Sequence, residues 1–408
     1  MYLHPFCSFH TGPDGDITIK NSLSGSRATI DPATLDALRT LVNTGRFHEP
    51  VSTRDIERLE ICEVLFGTRT AAEAWIDGWY ERQARRGPKI DQIELTNRCP
   101  YRCKMCPRTS SMTRAIGDMD LPLFTRIIDQ IKGNQSYVGL HHFGESLVHR
   151  GLTDAVTIAL ERGVRTGLSC NPPSLKPALA ENLLRAGLAE MLLSLDSLDA
   201  ATYRSIRGPA ADIDRALAHL RSLMALRERI GAKTRITLQL ISMRENADET
   251  EDFLDLCREL GVDRGVVIDV GRWDFSDDKV AELGEFDAIM HDGFCTRPVE
   301  SVATLWDGRV VPCCHDYDGA EVLGNLRTQT LDEIWASDVA RRFRGDPDAT
   351  ALCQKCAFSR GYRAAWRERV GFDAFHRSRS GKPKIEFKRE DTDPQKPLYA
   401  IGNVAHAK

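Results

Sequence analysis

Apolar and polar positions along this chain fall into two textures. Between Ile90 and residue 270, short apolar runs alternate with longer stretches of helical spacing. The runs are IDQIELT (90–96), SYVGLHHF (136–143), VRTGLSC (164–170), EMLLSLD (190–196), TRITLQLI (234–241) and RGVVIDV (264–270), each of strand length. Helical spacing recurs near 121–132, 151–162, 175–186, 211–230 and 248–260. Six strands separated by helices predict βα units on a parallel sheet. Six units fall short of the eight that close a full barrel. The expected fold class is therefore α/β, with an open, partial (β/α)6 barrel over 89–285. Ligands in such folds gather at the C-terminal ends of the strands, so the residues after each run carry the interest.

Outside this stretch the texture changes. In residues 1–88, DITIKN and ATIDPATLDALRTLV read as a strand and a capped helix. Two more helical stretches follow, through STRDIERLEICEVLFG and AAEAWIDGWYERQARR. Short strands among these helices predict a separate, winged-helix-like α+β module, ending at ARRGPK (84–89). Beyond residue 285, TLWDGRVVPCC predicts a hairpin turning at Asp307-Gly308. TLDEIWASDVARRFR then predicts one helix capped by Thr330. Residues 286–376 form the expected third domain. The charged, turn-rich stretch 377–408 is expected to be an exposed tail.

Composition narrows the function classes. A net charge of −4 gives no basic excess for nucleic acid. No apolar stretch is long enough to cross a membrane, and the N-terminus lacks a secretory pattern, so the expected location is cytoplasmic. In that setting twelve cysteines point to metal binding or catalysis rather than to disulfides.

Three of the cysteines stand in TNRCPYRCKMC, directly after the first strand. Cys99, Cys103 and Cys106 have C-x3-C-x2-C spacing. Three thiolates on one loop can each hold one iron of a 4Fe–4S cube and leave the fourth iron open. A zinc knuckle is the competing reading, although zinc sites usually want four ligands. A second set, Cys295, Cys313, Cys353 and Cys356, has C-x17-C-x39-C-x2-C spacing and could ligate a further 4Fe–4S cluster in full. Here the alternatives are a zinc-ribbon-like site, or Cys314 as ligand in place of Cys313.

The first motif, set after the first strand of a six-unit partial barrel, resembles the radical S-adenosylmethionine (SAM) superfamily over about residues 90–270. WDGRVVPC, LGNLRTQTLDEIW and CQKC resemble the C-terminal SPASM or twitch extension of that superfamily. The resemblance implies two 4Fe–4S clusters, one binding SAM and one auxiliary. It also implies a 5′-deoxyadenosyl radical that abstracts hydrogen from the substrate, and an electron donor such as flavodoxin or ferredoxin. HHFGES (141–146) occupies the place of the family's Gly-Gly-Glu-Pro stretch. Gly144 and Glu145 match it, whereas Phe143 and Ser146 depart. By the same resemblance Ser169, Asn171 and Ser194 would contact SAM, and Arg207 in TYRSIRG would pair with its carboxylate. A plain strand-to-helix turn at Glu145 and a surface arginine at 207 are the plainer readings.

Cys170 and Cys314 are left over beside the expected cavity. Either could return hydrogen to a carbon radical, as a cysteine does in radical epimerases resembling this family. Either could equally be a small buried hydrophobe. His142, His149 and His315 could orient substrate hydroxyls. The expected substrate is a sugar or aminocyclitol, attacked at a carbinol carbon, with epimerisation favoured over dehydrogenation and a place in natural-product biosynthesis. The competing expectation is a maturase of a ribosomally made peptide, with residues 1–88 binding its leader.

Overall fold

In the computed structural model the six apolar runs become six parallel strands. The structure describes residues 1–4, 7–11, 17–21, 23–44, 46–47, 51–271, 280, 282–284, 297–345, 350–355 and 386–388. The chain divides into two units. One holds 1–87 with 286–299 and 353–383, and the other holds 88–285 with 300–352 and 384–408.

In the first unit, β1 (Tyr2–Leu3) pairs with β5 (Leu65–Phe66), and β2 (Cys7–Thr11), β3 (Ile17–Asn21) and β4 (Arg27–Ile30) form an antiparallel meander. Strand β3 alternates buried and half-buried residues, as one-sided packing requires. Its Ile19 joins Leu38, Leu59, Val64 and Leu65 in one core with the helices α1 (Pro32–Thr44) and α2 (Thr53–Ile61). Helix α2 stops sooner than its apolar spacing predicts. Glu63 takes a left-handed φ of 57°, and its carbonyl accepts a hydrogen bond from Asn21 Nδ2 at 2.8 Å. Helix α3 (Arg69–Arg85) completes the unit.

The second unit is built on one sheet. Strands β6 (Lys89–Ile93), β7 (Tyr137–Gly139), β8 (Arg165–Cys170), β9 (Glu190–Ser194), β10 (Arg235–Ser242) and β11 (Arg264–Asp269) lie in sequence order, all parallel. Between them run α4 (Pro107–Ser110), α5 (Leu121–Ile131), α6 (Leu152–Glu161), α7 (Pro177–Arg185), α8 (Ala200–Arg207), α9 (Ile213–Ile230) and α10 (Thr250–Leu260). Leu168, Met191, Leu193, Ile236 and Leu238 share one face of this sheet and are fully buried. The opposite face is polar, with Gln92, Glu190 and Arg235 in one register row and Ser194 beside Gln239 further along. Near the N-terminal ends of the strands, Glu190 accepts from the Tyr137 hydroxyl at 3.0 Å and pairs with Arg235 at 3.0 Å.

The predicted hairpin forms, and it extends the same sheet. Strand β12 (Ser301–Thr304) pairs in parallel with β6, and β13 (Arg309–Val311) and β14 (Gly324–Asn325) follow antiparallel. Thr330 caps the next helix through a capping box with Glu333. That helix is not continuous, however. Leu331–Trp335 ends, and Asp338–Gly345 begins after Ser337, whose hydroxyl accepts the Ala340 amide at 3.2 Å. Within the expected tail, β15 (Glu386–Lys388) adds antiparallel to β11 at the sheet's other edge. Among the described residues, no helix is long and apolar enough to cross a membrane.

Candidate active site

The cysteine loop leaves the C-terminal end of β6 and is held from three sides. Asn97 Nδ2 donates to the Ala115 carbonyl at 2.9 Å, and the Thr96 hydroxyl donates to the Gly117 carbonyl at 3.0 Å. The Glu145 amide donates to the Arg98 carbonyl at 2.8 Å. The amides of Arg102 and Lys104 donate to the carbonyls of Arg207 and Ile206 at the end of α8, at 3.0 and 2.9 Å. Two glycines permit this closeness. A Cβ on Gly144, whose φ is 107°, would lie 2.3 Å from the Thr96 carbonyl oxygen. One on Gly208, with φ 88°, would lie 2.8 Å from Arg102 Cβ.

Cys99, Cys103 and Cys106 are thiols outside any disulfide. Burial pushes Cys99 and Cys106 up to about 12 and also raises Cys103. Thiols this desolvated need a nearby cation to become thiolates, which bound iron would provide. Three thiols on one short loop suit a cube, in which each thiolate takes its own iron. The residues present therefore fit a 4Fe–4S cluster.

Beneath the loop lies a buried polar chain. Glu145 accepts from the Asn171 amide at 2.9 Å, from Asn171 Nδ2 at 2.7 Å and from the Leu147 amide at 3.2 Å. Burial pushes its carboxyl up to about 7 against these donors. Asn171 Oδ1 accepts from Arg207 at 2.9 Å. Arg207 also pairs with Asp196 at 2.5 Å and comes within 3.8 Å of Cys103 Sγ. Burial opposes the Arg207 charge, but Asp196 and the Cys103 sulfur outweigh it and hold the guanidinium protonated. Arg207 is thus no surface arginine, with only 6% of its area exposed.

The remaining expected residues divide. Ser169 and Ser194 stand on the polar face of the sheet, with Ser169 half-buried and Ser194 buried. Cys170 has the opposite parity, level with Leu193 and Leu238 on the apolar, fully buried face. That parity is the one expected of a core residue. Cys314 is buried beside Cys313, whose sulfur accepts the His315 amide at 3.3 Å. Cys353 belongs to the first unit and Cys313 to the second. Cys295 and Cys356 lie outside the described residues. Gln92 Oε1 lies 2.9 Å from His142 Nδ1, and Gln92 Nε2 lies 3.3 Å from His141 Nε2. His149 bonds the Met119 carbonyl at 2.9 Å, a structural contact.

Sequence reasoning passed over Asp196, although it stands two residues after Ser194 in SLDS. A buried arginine needs a carboxylate, a requirement that appears only once Arg207 is seen to be buried. It also passed over Glu94 and Arg114, a second buried pair.

Comparison with known proteins agrees with this geometry. A family model of the radical SAM superfamily matches residues 93–257, and one of the SPASM iron–sulfur cluster-binding domain matches 295–357. The chain is 26% identical over 298 residues to the tungsten-containing aldehyde ferredoxin oxidoreductase cofactor-modifying protein of Pyrococcus furiosus, covering 62% of this chain and 82% of that protein. It is 31% identical over 173 residues to a PqqA peptide cyclase of Streptomyces rochei, covering 42% of this chain and 45% of the cyclase. Streptococcus suis SuiB, solved bound to precursor peptide SuiA, shares the fold with a TM-score of 0.53 at 14% identity, over 88% of this chain and 93% of that one.

Proposed function

We propose, from the premise that this chain is a radical SAM protein with a SPASM cluster-binding domain, that it abstracts a hydrogen atom from a carbon of a peptide substrate. The observation that carries the hydrogen-abstraction reading is the three-cysteine loop set over the Glu145–Asn171–Arg207–Asp196 chain. Cys99, Cys103 and Cys106 would hold a 4Fe–4S cluster, which would supply the electron for reductive cleavage of SAM and so the radical chemistry that takes the hydrogen.

The protein's own part is to hold SAM and keep water away. Gly144 lets the Glu145 turn lie against the cysteine loop. Glu145 offers its carboxylate to the SAM ammonium, and that cation offsets the burial that raises the acid. Arg207, kept charged by Asp196, receives the SAM carboxylate, with Asn171 linking the two. Ser169 and Ser194, on the polar face, supply hydroxyls to the ribose and carboxylate. Cys295, Cys313, Cys353 and Cys356 hold the auxiliary cluster, and a small electron carrier of the ferredoxin or flavodoxin type reduces the protein.

The peptide reading draws on the PqqA peptide cyclases among the relatives. It also draws on the meander of residues 1–87, where β2 and β4 each have a single strand neighbour among the described residues. An extended leader can add to such an edge. A sugar or aminocyclitol remains the second reading, favoured by the cysteine count. Cys295, Cys313, Cys353 and Cys356 are enough to ligate one auxiliary cluster in full. In that reading the carbinol radical is epimerised or dehydrogenated. Cys314 is then the better hydrogen donor, since Cys170 stands on the apolar face.

The test is anaerobic reconstitution of wild type and of a variant with Cys99, Cys103 and Cys106 all changed to Ala. Wild type should hold about eight irons and release 5′-deoxyadenosine. The variant should hold about four and release none. Zinc in place of iron, or intact SAM with wild type, overturns the proposal. For the substrate, a peptide encoded beside this gene should accelerate deoxyadenosine release and return altered in mass. A sugar substrate epimerised in heavy water should instead gain one deuterium at the inverted carbon.

A further inference from the structure

The residues after Cys106 do more than lead away from the cysteine loop. Thr113–Asp118 run as a strap between that loop and the hairpin bearing Cys313. On the loop side, Asn97 Nδ2 donates to the Ala115 carbonyl at 2.9 Å, and the Gly117 amide donates to Asn97 Oδ1 at 2.9 Å. On the hairpin side, Trp306 Nε1 donates to the same Ala115 carbonyl at 3.2 Å. The Trp306 ring covers Gly117 so closely that a Cβ there would lie 2.4 Å from it.

The turn after Cys313 is clamped by the same strap. Asp318 accepts from the Thr113 amide and hydroxyl, each at 2.6 Å, and from the Arg114 amide at 3.0 Å. Arg114 Nε donates to the Tyr317 carbonyl at 2.6 Å. The rest of the Arg114 guanidinium forks onto both oxygens of Glu94, with the two side chains 3% and 0% exposed. Glu94 accepts two further amides, from Phe143 at 3.3 Å, one residue before Gly144, and from Trp306 at 3.2 Å. One arginine thus ties together the end of β6, the exit from β7, the hairpin turn and the turn after Cys313. A buried ion pair adds little stability over an apolar pair, but its fork geometry allows one arrangement only.

We propose that Arg114, held by Glu94 and Asp318, is a positioning residue that fixes the Cys313 turn against the Cys99–Cys106 loop and so sets how far Cys313 lies from the first cysteine set. The proposal rests on the reading that both cysteine sets hold clusters. It adds a role to residues outside either set, since the hydrogen bonds of Arg114 and Asp318 named above go to no cysteine.

The test uses the full chain with Arg114→Lys, which keeps a charge beside Glu94 but loses the fork, and with Asp318→Ala. The second variant trims a partly exposed side chain, so it folds even where the first does not. Before iron loading, amide exchange read by mass spectrometry should speed up about tenfold at residues 94–99 and 115–118 in both variants, although Asp318 touches none of 94–99. After reconstitution and reduction, iron content should stay at wild-type level. The line shape arising from magnetic interaction between the two reduced clusters should change, and SAM cleavage should fall about tenfold. Faster exchange confined to 313–321, or a spectrum that superimposes on wild type with unchanged SAM cleavage, overturns the proposal. If wild type holds no clusters, the family reading fails instead, and the exchange experiment alone decides the role of the strap.

Discussion

Two buried arginines flank the cysteine loop, and the difference between them shows how one interaction serves two ends. Arg207 pairs with Asp196, bonds Asn171 and approaches Cys103, so all its partners lie within the barrel. Arg114 pairs with Glu94, yet its outer edge bonds the turn after Cys313. Both guanidiniums are buried against a carboxylate. The first holds together the polar chain beneath the loop. The second joins segments of chain about 200 residues apart.

The largest effects should come from removing either guanidinium. Arg207→Leu and Arg114→Leu each strand a buried carboxylate, at a cost of about 3–5 kcal/mol in urea unfolding. The comparison sharpens with lysine. Arg207→Lys should weaken SAM binding about tenfold, and Arg114→Lys should leave it within about twofold, as measured by equilibrium dialysis. Equal losses would break the distinction. Gly144→Ala should cost about 2–4 kcal/mol, because it forces a left-handed residue into the Thr96 carbonyl. An unchanged melting temperature would show that the loop can retreat.

Acid offers a milder probe of the polar face between the two arginines. Burial lowers His141 to about 4 from 6.5, so the unfolded chain takes the proton first. The stability this histidine contributes is complete above pH 6.5 and is lost as pH falls toward 4, about 3 kcal/mol in all. His141→Gln should flatten the pH dependence of the urea midpoint over that range. The smallest effect belongs to the surface. Lys104→Ala removes a half-exposed contact with Glu245 and should change stability by less than about 1 kcal/mol.

Much of this architecture was legible in the sequence because it is periodic or local. The six strands and the five longer helices between them follow from spacing alone. Thr330 announced its capping box, and the Asp307-Gly308 turn announced its hairpin. Helix α8 was overlooked as an element because only eight residues, Ala200–Arg207, carry it. The break at Ser337 was hidden because apolar spacing continues across it. At the site, the cysteine spacing and Gly144-Glu145 were readable as motifs. The burial of Arg207 was not, because Tyr203 and Ile206, which share its covered side, are too few to read as an apolar stripe. The Arg114 partners were beyond reach for another reason. Tyr317 and Asp318 lie about 200 residues away, and pairings at that distance leave no periodic trace. Cys170 was misleading in the opposite way, since the strand end was correct and the parity decided which face it took.

The parallel pairing of Lys89–Ile93 with Ser301–Thr304 also has a consequence for the order of events in the cell. A ribosome makes the first barrel strand long before the strand that covers its outer edge. During that interval the edge is open to other chains, while the cysteine loop it feeds already exists without the hairpin beside it. Slow, non-local closure of this kind favours chaperone dependence and aggregation at high expression.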